Sequence, residues 1–233
     1  MQSLERSPSL SDRVTSSLLE LIDSSELKPG DRLPSERELA LGFKVSRTVI
    51  REAIRSLGAK GVLEVSSGSG ARIVPVSPKT ASDAFRLYVQ SARAAEGKDG
   101  ITYEHVDQVR ELLEGAIAHL AAQKRTEAHL AEMHASIDAM REVQSLEEAS
   151  RSDVLFHRTL AAATGNPLFA LIYDSLDPIL LEIRMKTLHA DDRREHAAAE
   201  HERILECVSQ QDAQGALQAM NEHLAISRSL WDH

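Results

Sequence analysis

Residues 75–83, PVSPKTASD, split the chain into two stretches with different hydrophobic patterning. Two prolines among small polar residues favour a break over a continuous element. Before the break, apolar residues first follow helical spacing and then alternate as in strands. After it, only helical spacing occurs. Any fold must therefore join a short mixed module to a longer all-helical one.

The N-terminal stretch reads as three helices and a hairpin. Val14, Leu18, Leu21 and Ile22 share one face of SDRVTSSLLELIDSSEL, and KPGDRLP ends that helix. SERELALGF opens with Ser35 and Glu38 at capping-box spacing. SRTVIREAIRSLGAKG forms the third helix, with Ser46 as its N-cap. VLEVSSGSGARIVPV then places two β-branched runs around a Gly/Ser turn. After the break, helices are expected near 82–95, 103–122, 126–144, 147–163, 167–188, 194–210 and 212–231, with GNP at 165–167 as a stop and new start. The expected fold is mainly α: a winged helix-turn-helix followed by an all-α antiparallel bundle of six or seven helices. The boundaries read as 8–76 for the first domain, 77–84 for a linker and 85–233 for the second.

Of the 233 residues 42% are apolar and only 3% aromatic, which suits helices joined through aliphatic side chains. No apolar run is long enough to span a bilayer. The N-terminus lacks a signal-peptide pattern, and Cys207 is the single cysteine, so a cytoplasmic protein without disulfides or membrane association is expected. The net charge of −9 is unevenly spread. Residues 1–75 hold 11 Lys and Arg against 10 Asp and Glu, a net +1, which leaves −10 for the remainder. That asymmetry separates two modules with different partners.

The third helix carries Arg47, Arg51 and Arg55 at four-residue steps, opposite Ile50, Ala53, Ile54 and Leu57. Like charges at that spacing destabilise an isolated helix by about 0.2–0.5 kcal/mol per pair. A polyanion would relieve them, since guanidinium groups hold phosphate and read guanine edges. A solvated arginine face is the plain alternative. Spelling decides between them: PGDRLPSERELA, VSRTVIREAI and KGVLEVSSGSGARIV resemble the DNA-binding domain of the GntR family of bacterial transcription regulators. The resemblance covers roughly residues 10–76. It implies that Arg37, Ser46, Arg47, Thr48 and Arg51 contact phosphates and bases, with Gly68 at the wing tip approaching the minor-groove side. The chain departs from the family pattern with AI for AL and LGAKGV for LE.EGL, changes that concern the core more than contact chemistry.

In the second module, Asp153 and His157 share a helix face four residues apart. His201 aligns with Ile204, Leu205 and Val208, and His223 follows Ala216 and Met220, each on an apolar stripe. Burying such groups costs free energy unless they find partners. A hydrogen-bonded cluster would satisfy them, and so would one metal ion. The segments VRELLEGAIAHLAA, DVLFHRTLAAATGNPLF and EHERILECVSQQDAQGALQAMNEHL resemble the FCD type of effector domain, the FadR-like branch of the family.

That resemblance implies a divalent metal on Asp153, His157, His201 and His223, with zinc first and nickel, manganese or iron as alternatives. His196 competes weakly with His201. The resemblance also implies a small organic or sugar acid as effector. Arg110 and Arg184 are the candidate cations for its carboxylate, although Arg110 could instead pair with Glu114 one turn on. The expected whole is a homodimeric repressor of a palindromic operator, not an enzyme. A metal-dependent enzyme that activates water at the aspartate and three histidines, and a regulator with a metal-free pocket, are the rival readings.

Overall fold

The computed structural model describes residues 8–24, 26–66, 70–94, 100–143, 145–189 and 191–230. The chain divides into two units, Met1–Ala81 and Ser82–His233.

In the first unit, α1 (Leu10–Asp23) starts at Ser9, whose hydroxyl accepts the Asp12 N–H while Asp12 accepts the Ser9 N–H. The expected box at Ser35 and Glu38 opens α2 (Glu36–Phe43), and Lys44, at φ 55°, ends it. Ser46 caps α3 (Arg47–Ala59) by accepting the Val49 N–H at 3.3 Å. Ile50, Ala53, Ile54 and Leu57 of α3 meet Val14, Leu18, Leu33 and Leu39 in one core.

The wing is β1 (Leu63–Ser66) paired antiparallel with β2 (Gly70–Ile73), Leu63 opposite Ile73 and Val65 opposite Ala71. The turn between α1 and α2 does more than end a helix. Leu33 N–H donates to Ala71 O at 2.9 Å, Gly30 N–H donates to Ile73 O at 2.8 Å, and Arg32 bridges Arg72. This segment lines the outer edge of the wing and satisfies backbone groups that a two-stranded ribbon leaves open. Gly30 sits at φ 98°, a conformation other residues rarely adopt. The wing-tip Gly68 lies outside the described residues.

Among the described residues, seven helices follow. The first, α4 (Pro78–Ala94), begins within the segment expected as a linker. It joins the second unit's core through Val89 and reaches Glu182 through Arg93. The remaining six are α5 (Tyr103–Lys124), α6 (Glu127–Glu142), α7 (Leu146–Ala163), α8 (Pro167–Thr187), α9 (Asp191–Ser209) and α10 (Ala213–Ser229). Asn166 caps α8 through the Leu168 N–H, with Pro167 in its first turn.

Helix α5 lies against α10 and α7, α6 against α7 and α9, α7 against α8, and α9 against α10. At Gly115 an added Cβ would run into the Asn221 amide, so any larger residue there would require that side chain to turn away. Phe156, Leu160, Ile117, Ile137, Ile183 and Ile204 centre a single apolar core. Each such side chain stabilises the fold by about 1.5–3 kcal/mol relative to exposure. No helix among the described residues is long and apolar enough to cross a membrane.

Candidate metal centre and nucleic-acid interface

Asp153 and His157 come from α7, His201 from α9 and His223 from α10. All four are buried, none more than 2% exposed. Helical spacing turns each inward because its neighbours three or four residues away belong to the core. One ring nitrogen of each histidine lies within 4.8 Å of the others. Asp153 is 3.8 Å from His157 Nε2 through Oδ1 and 3.6 Å from His201 Nε2 through Oδ2. His196 is exposed and does not join them.

Both ring nitrogens of His201 and the Nε2 of His223 are buried without a hydrogen-bond partner. Orphaned buried acceptors are costly and rare, so converging ones point to a missing electrophile. Three imidazole nitrogens beside a carboxylate are a donor set that zinc and similar divalent ions accept. The residues therefore fit a metal.

The electrostatics agree. Burial carries the His201 imidazole well below its ordinary value. Burial also lowers His223 to about 4, although its hydrogen bond to Glu200 works the other way. Both rings are neutral near pH 7 and keep a lone pair to offer. Burial, the largest single influence, would raise the Asp153 carboxyl, but the charges around it, the Arg184 guanidinium first, together outweigh burial and hold it well below its ordinary range, so Asp153 stays ionised.

The two candidate effector cations are both buried here. Arg184, on α8, pairs with Asp153 through Nε, lies 3.2 Å from His157 Nε2 and 3.4 Å from Ser227 Oγ. Arg110, on α5, donates through Nε to Glu114 Oε1 at 2.6 Å and sits 3.6 Å from Asp107. Its Nη1 and Nη2 make no hydrogen bond. Glu114 Oε2 is 2.6 Å from His157 Nδ1, and Glu200 Oε2 is 2.7 Å from His223 Nδ1. Burial opposes ionisation of Glu114, but Arg110 and then His157 hold its carboxyl well below the usual range.

Sequence reasoning met Glu114 only as a partner for Arg110 and did not single out Glu200. Glu200 lies 23 residues from His223, and only the α9–α10 contact joins them.

In the first unit, Arg37, Ser46, Arg47, Thr48 and Arg51 are all exposed. Arg47 and Arg51 form one outward stripe of α3 with side chains 63% and 52% exposed. Glu36, at the start of α2, accepts from Arg51 Nε at 2.8 and 3.0 Å and lies 3.6 Å from Arg47. This acid relieves the repulsion along the stripe. It escaped notice because the pairing spans 15 residues and exists only once α2 and α3 are folded.

Residues 10–73 match the family of bacterial regulatory proteins, gntR family, and residues 106–226 match the FCD domain. The chain is 31% identical to the HTH-type transcriptional repressor NanR of Cronobacter sakazakii, over 95% of this chain and 85% of that protein. It is likewise 31% identical to NanR of Enterobacter sp., over 99% and 90%. A solved GntR structure from Streptococcus agalactiae shares the fold, with a TM-score of 0.59 at 24% identity, covering 94% of this chain and 99% of that one. A winged DNA-binding unit, an all-helical unit with a buried histidine triad, the two domain matches and the NanR relatives lead to one conclusion: the chain belongs to the GntR family of transcription regulators, with a C-terminal FCD domain, and is not an enzyme.

Proposed function

We propose that the protein is a metal-containing repressor whose hold on a palindromic operator is set by a small organic or sugar acid. The observation that carries this reading is the buried triad of His157, His201 and His223 beside Asp153, in a chain that also bears a winged helix-turn-helix. Asp153, His157, His201 and His223 are the residues that would hold the metal, zinc first, with nickel, manganese or iron as alternatives. A bound divalent ion supplies a Lewis-acidic position for a carboxylate oxygen. Repression is proposed by similarity to the NanR repressors.

The chain's own residues would divide the remaining work. Arg184 is the cation nearest the triad and would meet the effector's carboxylate. The two Nη groups of Arg110 are a second pair of donors still free to hydrogen-bond. Effector binding shifts operator affinity only if the two arrangements of the protein bind it unequally. On DNA, Arg37, Ser46, Arg47, Thr48 and Arg51 would contact phosphates and bases, with Gly68 at the wing. Two copies are required to read a two-fold operator. Helix α8 offers a surface for pairing, because Leu168, Leu171, Pro178, Leu181 and Met185 recur along its outer side at helical spacing.

A metal-free pocket is the second reading. It is favoured by Arg184, which here takes Asp153 and approaches His157 Nε2, so an internal cation already balances part of the cluster. Metal analysis of tag-free protein separates the two. Near one equivalent per chain is expected, and under about a tenth after zinc, nickel or manganese is added would leave only the metal-free pocket. A thermal-shift screen of small carboxylates on the metal-loaded protein then tests the effector class, since a bound ligand raises apparent stability by mass action.

A further inference from the structure

Two of the three inward histidines have an arginine-held carboxylate behind Nδ1, hydrogen-bonded at His223 and in close contact without hydrogen-bond alignment at His157. At His157, Glu114 brings Oε2 to 2.6 Å from Nδ1, and Arg110 Nε holds the other oxygen at 2.6 Å. At His223, Glu200 brings Oε2 to 2.7 Å from Nδ1, and Arg193 holds both oxygens, at 2.7 and 3.1 Å. Glu114 stands on α5 and reaches α7, while Glu200 stands on α9 and reaches α10. Each arginine–glutamate–histidine chain therefore ties two helices together at a candidate ligand.

Donor and acceptor chemistry sets the direction of both chains. A guanidinium can only donate. His157 Nε2, 3.2 Å from Arg184 Nη2, must then accept, so its ring proton sits on Nδ1, the nitrogen that lies 2.6 Å from Glu114 Oε2. An arginine-bound carboxylate accepts, so His223 Nδ1 donates to Glu200. That leaves His223 Nε2 as a lone pair with no hydrogen-bond partner. His201 differs: neither ring nitrogen has such a partner, and its ring stacks on Phe156 at 4.2 Å and 8°.

We infer that Glu114 and Glu200 are positioning residues, which fix His157 and His223 as Nδ1–H tautomers and aim their Nε2 lone pairs into the centre. The metal as occupant rests on the function proposed above; the tautomers do not. Carboxylates placed behind histidine ligands orient the ring and make it a better donor, and losing one costs about 10–100-fold in metal affinity. If the glutamates served only to neutralise the arginines, neither would need an oxygen within 2.7 Å of an imidazole nitrogen.

Glu200 is the better probe, because its side chain is 13% exposed against 2% for Glu114, whose loss would strand the buried Arg110. The experiment compares wild type, Glu200→Leu and Glu200→Gln by NMR of the imidazole nitrogens in metal-free protein and by competitive zinc titration. In wild type, His223 should carry its proton on Nδ1. In Glu200→Leu that preference should disappear and zinc Kd should rise about 10–100-fold. Glu200→Gln still offers an accepting oxygen, so it should keep the tautomer and lose less affinity. A Glu200→Leu protein with wild-type tautomer and zinc Kd within about twofold of wild type overturns the inference. Should that variant fail to fold, Glu200→Asp replaces it by drawing the carboxylate back one methylene; unchanged tautomer and Kd would again overturn the idea. If wild type takes up no zinc, the metal reading falls, while the His223 tautomer in metal-free protein still decides this inference.

Discussion

Arg47 and Arg51 show how a single side chain can be both satisfied and available. Glu36 neutralises them in the free protein, yet both remain more than half exposed. An exposed pair of this kind contributes little stability. Exchanging Glu36 for phosphate therefore costs little. Arg47→Ala and Arg51→Ala should each weaken operator binding, by about 1–3 kcal/mol where the arginine reads a base bidentately. Wild-type affinity of the double variant in a gel-shift titration would rule out α3 as the recognition helix.

The buried histidines predict a pH dependence of the metal-free protein. His201 and His223 lie below the ordinary 6.5 when folded, His223 at about 4. As pH falls below about 6.5 the unfolded chain binds protons that the folded chain refuses. Stability is full above that pH and declines toward pH 4, on the order of 1 kcal/mol per pH unit for each ring. Glu200, held at about 2 by His223 and Arg193 against the effect of burial, extends the loss below pH 4.5. Urea melts of metal-free protein across pH 4–7 check this; a flat profile contradicts it.

At the scale of elements, helix starts do double duty. Ser46 caps α3 and is exposed at its N-terminus, where a phosphate would meet free backbone N–H groups. Two substitutions separate these roles. Ser46→Ala should cost about 1 kcal/mol of stability through loss of the cap. Ser46→Asp preserves the cap and places a negative charge toward DNA. It should fold like wild type and bind operator more weakly, and undiminished binding would show that no phosphate comes near. In α7, Phe156 both fills the core and backs the His201 ring. Phe156→Ala should cost about 3–5 kcal/mol, read in denaturant melts.

For the whole molecule, the proposed pairing of two copies would place α8 at their interface. On the outer side of α8 Leu168 is 62% and Met185 39% exposed, and apolar side chains gathered on one exposed face mark a contact surface. A second copy placed there would bury that surface and give the protein two-fold symmetry. Wild type should sediment as a dimer at micromolar concentration, and Leu181→Glu combined with Met185→Glu as a folded monomer. A wild-type monomer, or a charged variant that stays dimeric, would exclude this face. The helices α5 and α7–α10 all contribute to the polar centre, so a metal there would link local occupancy to bundle stability. Zinc at a hundred times its Kd should stabilise the bundle by about 2.7 kcal/mol, and chelation should reverse it.

The sequence by itself determined the elements. Ser35 with Glu38, Ser46, and Gly165–Asn166–Pro167 signal helix ends through contacts within four residues, so α2, α3 and α8 begin where they were expected. Helical spacing also placed Asp153, His157, His201 and His223 on buried faces, because burial of a face follows from its apolar neighbours. Two local signals were weaker. KPGDRLP read as a stop and proved to edge the wing, since its hydrogen bonds go to residues some 40 positions away. The helix expected near 82–95 starts earlier, at Pro78, because proline is as compatible with a first helical turn as with a break. Only the tertiary structure decided which polar groups meet. Glu114 behind His157, Glu200 behind His223, Arg184 on Asp153 and Glu36 on Arg51 all join different helices. Periodicity fixes the direction a side chain faces along its own helix, but its partner depends on how helices cross, and that is set by the fit of whole faces rather than by any local spacing.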